Sequence, residues 1–302
     1  MPLIISIPEK IDDNRIGSSF NHLFRIILKM EQSEEEDVIW DFSTASILNP
    51  FFLLPLKLYK DKCGKKVEFR NIPDKISSYF EAIHFYNILD PEHEENFSEY
   101  MARFSSKRYI PIIKFPASVC KDDIKNKILS CIGQILKRQL NIKGAIYNAL
   151  DYLLTELIDN ITEHSESING YIFAQYYRKY KYIDICIADE GITILGSYIK
   201  AKRNDITDDV DAIKQASKGV STKNLPNAEN RGYGIVTCKE MLTKGLKGQF
   251  FLFSGGAFYR KNENEEDFVS LPKDIKWDGT VVLLRIPYSE NEDFNFYDYL
   301  EV

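Results

Sequence analysis

The chain has 302 residues, 44% hydrophobic and 28% charged, with a net charge of -6. That length is comfortable for two globular domains, and an acidic chain is not expected to be a general nucleic-acid binder, because phosphate contacts need clustered Lys and Arg. Five scattered cysteines without a CxxC pair imply no zinc or disulfide framework and fit a reducing cytoplasm; no stretch approaches the ~20 apolar residues of a membrane span, and MPLIISIPEK does not read as a signal peptide.

In chain order, LIISI (3–7) reads as a short strand. Residues 15–30 carry Ile16, Phe20, Leu23, Phe24, Ile27 and Leu28 at helical spacing. EQSEEED (31–37) is a solvated connection, VIWDF (38–42) a buried strand, and residues 53–62 a helix ended by Cys63-Gly64. Pro50 suits a turn and Pro55 a first helical turn. KVEFRNI (66–72) is a strand, followed by a helix over 74–83. Charge and serine mark residues 90–107 as a connection between domains. RYIPIIKFP (108–116) is a strand and 121–140 an amphipathic helix. GYIFAQYY (170–177) and YIDICIAD (182–189) form a hairpin around a charged turn. Residues 194–231 are mixed and polar, as functional lids are. A helix over 233–244 and strands QFFLFS (249–254) and GTVVLLRIP (279–287) follow, then an acidic tail.

The stretch AIYNALDYLLTELIDNITEHSE (145–166) carries the most information. Ile146, Ala149, Leu150, Leu153, Leu154, Leu157, Ile158 and Ile161 make one apolar helix face. Glu156, Asn160 and His164 stand four apart, a near-axial column that drifts into that face. Polar groups on a buried border are costly unless satisfied, and a bound ion with its ligand would satisfy them. A capped or water-bonded helix edge would do so too.

Three later segments bear on the choice. Asp189-Glu190-Gly191-Ile192-Thr193 ends a buried strand, where a carboxylate can accept an amino hydrogen and Gly191 allows close approach of a base. Arg231-Gly232-Tyr233-Gly234-Ile235 precedes a helix, where exposed N–H groups suit phosphate oxygens. Gly279-Thr280 opens the last strand, with a hydroxyl to place beside Asp189. Each segment alone is weak; their order is not. Residues 108–288 resemble the GHKL ATPase superfamily, and within it the anti-sigma-factor serine kinases, which share the Glu, Asn and His at four-residue steps.

The resemblance implies ATP (and ADP) and Mg²⁺ as ligands. Asn160 would hold Mg²⁺ and Glu156 would act as general base. Asp189 and Thr280 would take the adenine, Gly191 and Thr193 would line it, and Arg231, Gly232, Tyr233 and Gly234 would face the phosphates. His164 would support the helix end near them, or be a structural histidine. Lys218, Ser221, Thr222 and Lys223 would join Arg231 in a closing lid. The family's second glycine in the first segment is here Thr193, which should still allow adenine binding. None of His22, His84 and His93 lies on a long coiled-coil helix, so a sensor histidine kinase is not expected.

Residues 1–90 resemble a STAS domain, from VIWDF through Gly64-Lys65-Lys66 to Asn71. That family's phosphoacceptor loop carries a serine; here the segment is Asn49-Pro50-Phe51-Phe52, with no hydroxyl. A docking module is therefore expected, with Phe51 and Phe52 read as core ahead of a partner patch. The expected architecture is α/β (α+β): a STAS-like domain (1–90), a linker (91–107), a GHKL two-layer sandwich with mixed sheet and ATP lid (108–290) and a tail (291–302). The expected function is Mg-ATP hydrolysis or γ-phosphate transfer to a Ser/Thr of a partner protein, regulator or phosphoacceptor. The competing reading is a non-catalytic, ATP-gated interaction module, and a third is a scaffold that binds no nucleotide. No membrane or nucleic-acid partner is expected, and a homodimer stays open.

Overall fold

The computed structural model describes residues 1–11, 18–117, 122–139, 144–220, 234–287 and 294–299. It is a mixed α/β structure with two sheets, one of three parallel strands and one of seven antiparallel strands. The first sheet is β1 (Leu3–Ser6), β2 (Asp37–Asp41) and β3 (Lys66–Arg70), in that order. Crossovers α1 (Ser18–Glu31) and α2 (Pro50–Lys62) join them, and α3 (Asp74–Ala82) follows.

Pro50 opens α2 rather than preceding it. Asn49 is the N-cap, its Oδ1 accepting from the Phe52 N–H at 3.1 Å while its amide donates to Ser19 Oγ at 3.0 Å. The cap thus starts one helix and ties it to the other. Pro55 lies inside the helix, in its second turn rather than its first. Gly64, at φ +70°, lets the chain reverse beyond the Cys63 cap.

Residues 90–107, read as a connection, are largely helical: α4 (Phe97–Ala102) continues into a 3₁₀ turn, Arg103–Ser106. Phe97, Met101 and Phe104 lie buried in the core that follows. The larger sheet has the order β4 (Tyr109–Pro116), β5 (Asn169–Tyr177), β6 (Tyr182–Asp189), β10 (Trp277–Pro287), β7 (Gln249–Gly255), β8 (Ala257–Lys261), β9 (Glu266–Ser270). The expected mixed sheet is instead antiparallel at every pairing, because β5–β6, β7–β8 and β8–β9 are hairpins and β10 returns between β6 and β7. Strands β8 and β9 were not anticipated.

Both faces of the seven-stranded sheet are covered, so its strands read as continuous apolar runs. Ile185 and Ile187, Leu252, Val282 and Leu284 face α5 (Asp122–Gln139), α6 (Gly144–His164) and α9 (Gly234–Glu240). Their alternates Cys186 and Ala188, Phe251 and Phe253, Val281 and Leu283 face the first sheet's helices. Phe20 of α1 stacks on Phe251 at 4.4 Å, and Phe51 and Phe52 are fully buried in this second core, as core residues. The expected two layers on this sheet are therefore three, with α1 and α2 forming the third.

Two polar contacts mark the seam. Asp184 and Arg285, directly opposite on β6 and β10, form a buried bidentate pair at 2.7 and 2.8 Å, with the guanidinium beneath the Phe51 ring. Tyr79 of α3 donates its hydroxyl to Gln175 Oε1 of β5. Tyr79→Phe is expected to lower stability by about 1 kcal/mol, the net worth of one such bond, readable as a reduced urea midpoint at unchanged slope.

Candidate functional site

Helix α6 carries its apolar face as its periodicity dictates: Ala149, Leu150, Leu153, Leu154, Leu157, Ile158 and Ile161 are all buried. The 3.6-residue turn leaves Glu156, Asn160 and His164 half-buried along the edge of that stripe. The edge faces a cavity of about 120 Å³, walled by Leu157, Asn160, Ile161 and His164 of α6 and floored by Ile187 and Asp189, Thr280 and Val282, and Leu252 of the sheet. An enclosed apolar cavity of about 150 Å³ accepts benzene, so the size suits one planar ring with the rest of its molecule outside. Ile192 and Ile194, Tyr198 and Gly234 close the other sides.

Asp189 ends β6 with 1% of its surface exposed. Burial pushes its carboxyl up to about 7, although the Gly191 and Thr280 N–H groups hydrogen-bond it and pull the other way. Gly191 N–H donates to Oδ1 at 2.9 Å. Beside it, Gly279 adopts φ +85°, and a side chain there would collide with Asp189. The carboxyl is thus a preformed acceptor at the bottom of an apolar cavity, charged or neutral according to pH.

Gly191 has a reason that the sequence did not show. Its Cα faces the backbone of Ser165 at the end of α6, and a Cβ would sit inside the van der Waals shell of the Ser165 carbonyl. The adjoining Ile192 N–H donates to that carbonyl at 2.6 Å. Gly191→Ala is expected to cost about 3 kcal/mol, as overpacking against an immovable backbone does, and to lower the melting temperature correspondingly. Thr193 stands beside the cavity rather than in its wall: its hydroxyl caps α7 (Ile194–Lys200), accepting from the Gly196 N–H at 3.0 Å.

Glu156 and Asn160 meet the start of α9. A Cβ on Gly234 would lie 2.5 Å from Glu156 Oε2 and 3.8 Å from Asn160 Nδ2, so the close approach depends on glycine. Asn160 Nδ2 is buried and has no hydrogen-bond partner. Since an amide's oxygen and nitrogen exchange on rotation, one of its two polar atoms is left for something else. The Glu156 charge also joins burial in raising the Cys238 thiol well above its usual range. His164 lines the cavity, its Nε2 3.8 Å from Glu163.

The structure therefore brings together Glu156, Asn160, His164, Asp189, Thr280 and Gly234. Lys218 is exposed at the end of α8 (Asp209–Ser217) and does not line the cavity. Ser221, Thr222, Lys223, Arg231, Gly232 and Tyr233 lie outside the described residues. Sequence reasoning missed Ser254, a lone hydroxyl at the end of the apolar strand β7, which links Ile194, Gly279 and Thr280. Its position opposite Thr280 follows from the register of β7 and β10, which no local pattern reveals.

The residues present fit a metal–nucleotide pair. Asn160 has its Nδ2 buried without a partner, and with the amide turned about its bond the oxygen would take that place as one hard ligand of the kind that suits Mg²⁺. The apolar cavity with a buried acceptor fits a base. No helix among the described residues is long and apolar enough to cross a membrane. No protein-family model matches the chain, and no curated protein is significantly similar to it.

Proposed function

We propose that this chain is a Mg-ATP-binding regulatory protein of the GHKL type, which hydrolyses ATP or transfers its γ-phosphate to a Ser/Thr of a partner protein, with a STAS-like N-terminal docking unit. The observation that carries the proposal is the buried, partnerless Nδ2 of the Asn160 amide, held beside Glu156 at the glycine start of α9, on the rim of an apolar cavity floored by Asp189. Asp189 would accept the exocyclic amino group of the base. Leu157, Ile161, Ile187 and Leu252 would sandwich the ring, and excluding water there would strengthen the polar contacts at its edge. Asn160 would hold Mg²⁺, which would supply positive charge to offset that of the phosphates. Glu156 would take the proton of the attacking water or hydroxyl.

Calorimetric titration of the whole chain with Mg-ATP, followed by a phosphate-release assay with and without candidate acceptor proteins, tests this. Saturable one-site binding with turnover is expected; absence of binding overturns the proposal.

One observation favours a second reading, an ATP-gated interaction module with little chemistry. Helix α2 packs on the back of β5 and β6, and Lys62 at its end pairs with Asp278 at 2.8 Å, two residues before Thr280 of the cavity floor. The N-terminal unit thus touches the strand ends that form the site. Binding without turnover, together with an ATP-dependent change in protease sensitivity or oligomeric state, is the signature of that reading.

A further inference from the structure

Three polar groups stand in a row across adjacent strands at the end of an otherwise apolar sheet face: Asp189 on β6, Thr280 on β10 and Ser254 on β7. Asp189 and Thr280 line the cavity. Ser254 lies behind Thr280, with 1% of its surface exposed. A hydroxyl has one proton to give and two lone pairs. The Ser254 proton goes to the Gly279 carbonyl at 2.7 Å, since a carbonyl can only accept. One lone pair receives the Ile194 N–H at 3.0 Å, since an amide N–H can only donate. What remains is a single lone pair, and Thr280 Oγ1 lies 3.3 Å from it. Thr280 must be the donor of that bond.

We propose that Ser254 is a positioning residue that fixes the base selectivity of the cavity by holding the Thr280 proton away from it. This rests on the nucleotide reading above. With its proton committed, Thr280 offers only lone pairs to the cavity, beside the carboxylate of Asp189. Two neighbouring acceptors favour a ring edge that carries an amino group. A purine with a carbonyl at the same place sets acceptor against acceptor, and specificity of this kind comes as much from the repulsion as from the attraction. The site accepts a 6-aminopurine and rejects a 6-oxopurine, and Ser254 contributes to that choice without touching the ligand.

The experiment is calorimetric titration of the full chain with Mg-ATP and with Mg-ITP, which differ at the purine 6-position. Wild type, Ser254→Ala, Thr280→Val and the double variant are compared. Loss of Ser254 frees the Thr280 hydroxyl to donate into the cavity, so the ratio of ITP to ATP dissociation constants is expected to fall about tenfold, the worth of one hydrogen bond. In the Thr280→Val background the Ser254 change is expected to leave the ratio where it was. Ser254→Ala also strips partners from Ile194 and Gly279, but that weakens both nucleotides alike and cancels in the ratio.

A flat ratio in a Ser254→Ala protein that still binds ATP overturns the inference, as does an equal fall in the Thr280→Val background. Should Ser254→Ala fail to fold, Ser254→Cys leaves no cavity and puts a weaker acceptor at the same place; a smaller fall in the same direction is expected, and a flat ratio again overturns it. Wild type binding neither nucleotide sinks the proposed function and this inference together, whereas wild type binding ATP with a flat Ser254→Ala ratio sinks the inference alone.

Discussion

Glu156→Ala is expected to bind Mg-ATP with little change in affinity while phosphate release falls by about 10²- to 10⁴-fold, the usual contribution of a general base. The separation of the two effects follows from where the side chain sits. Glu156 is not in the wall that would hold the base; its carboxylate lies against Gly234, beside Asn160. A proton acceptor at that place matters to the reacting end of a nucleotide and not to its ring. Removing the side chain also leaves space at the start of α9, which could disturb the phosphate end by geometry alone. Glu156→Gln keeps the shape and removes the charge, so it should show the same loss of turnover. Isothermal titration gives the affinity and a coupled phosphate assay gives the rate. A protein that loses binding and turnover together would make Glu156 a support for the helix start instead.

Asp189→Asn should abolish ATP binding, by about 10³-fold or more, and yet make the unliganded protein more stable. Two backbone donors, Gly191 and Thr280, already point at this side chain. An asparagine would keep its oxygen on them and turn its NH₂ toward the ligand's own amino group, donor against donor. The stability gain has a definite sign and pH window. The carboxyl titrates near 7 in the folded chain, above its ordinary 3.8, because burial disfavours the charge. An acid raised in this way costs folding free energy that begins above pH about 4 and is complete above pH about 7. The full shift corresponds to about 4 kcal/mol, and about half of that is expected after the amide's own burial cost. The melting temperature of Asp189→Asn should therefore exceed that of wild type near pH 8 and fall below it near pH 4, where the neutral carboxyl carries no penalty and the amide's burial cost remains. In wild type, ATP affinity should weaken below pH about 7, approaching tenfold per pH unit, as Asp189 takes up its proton.

Much of this was legible because the signals were periodic. The α6 column could be read since four-residue steps on a helix drift predictably, and the cavity edge runs along that drift. Strands β5, β6, β7 and β10 were legible as apolar runs, although nothing in them said that both faces were covered. Strands β8 and β9 escaped because Arg260 and Lys261 interrupt AFYRK with charges that are satisfied only in the fold, by Asp267 and Glu240. Residues 90–107 were misread by composition. Phe97, Met101 and Phe104 had helical spacing, but acidic and serine neighbours on the outer side outweighed it. The sheet order was not legible at all, and with it went the assignment of Ser254, whose meaning depends on the strand lying beside it.

The stacking of Phe20 on Phe251 sets an order of events during synthesis. The apolar side of α1 leaves the ribosome early, yet its cover is built from strands near the far end of the chain. At ordinary elongation rates the wait is tens of seconds. Pairings so distant in sequence also close slowly once both halves exist. A newborn chain must therefore carry Phe20, Phe24 and their neighbours uncovered for most of its translation. Binding by a chaperone that holds apolar segments, early and released only after β10 emerges, is the behaviour that this arrangement asks of the cell.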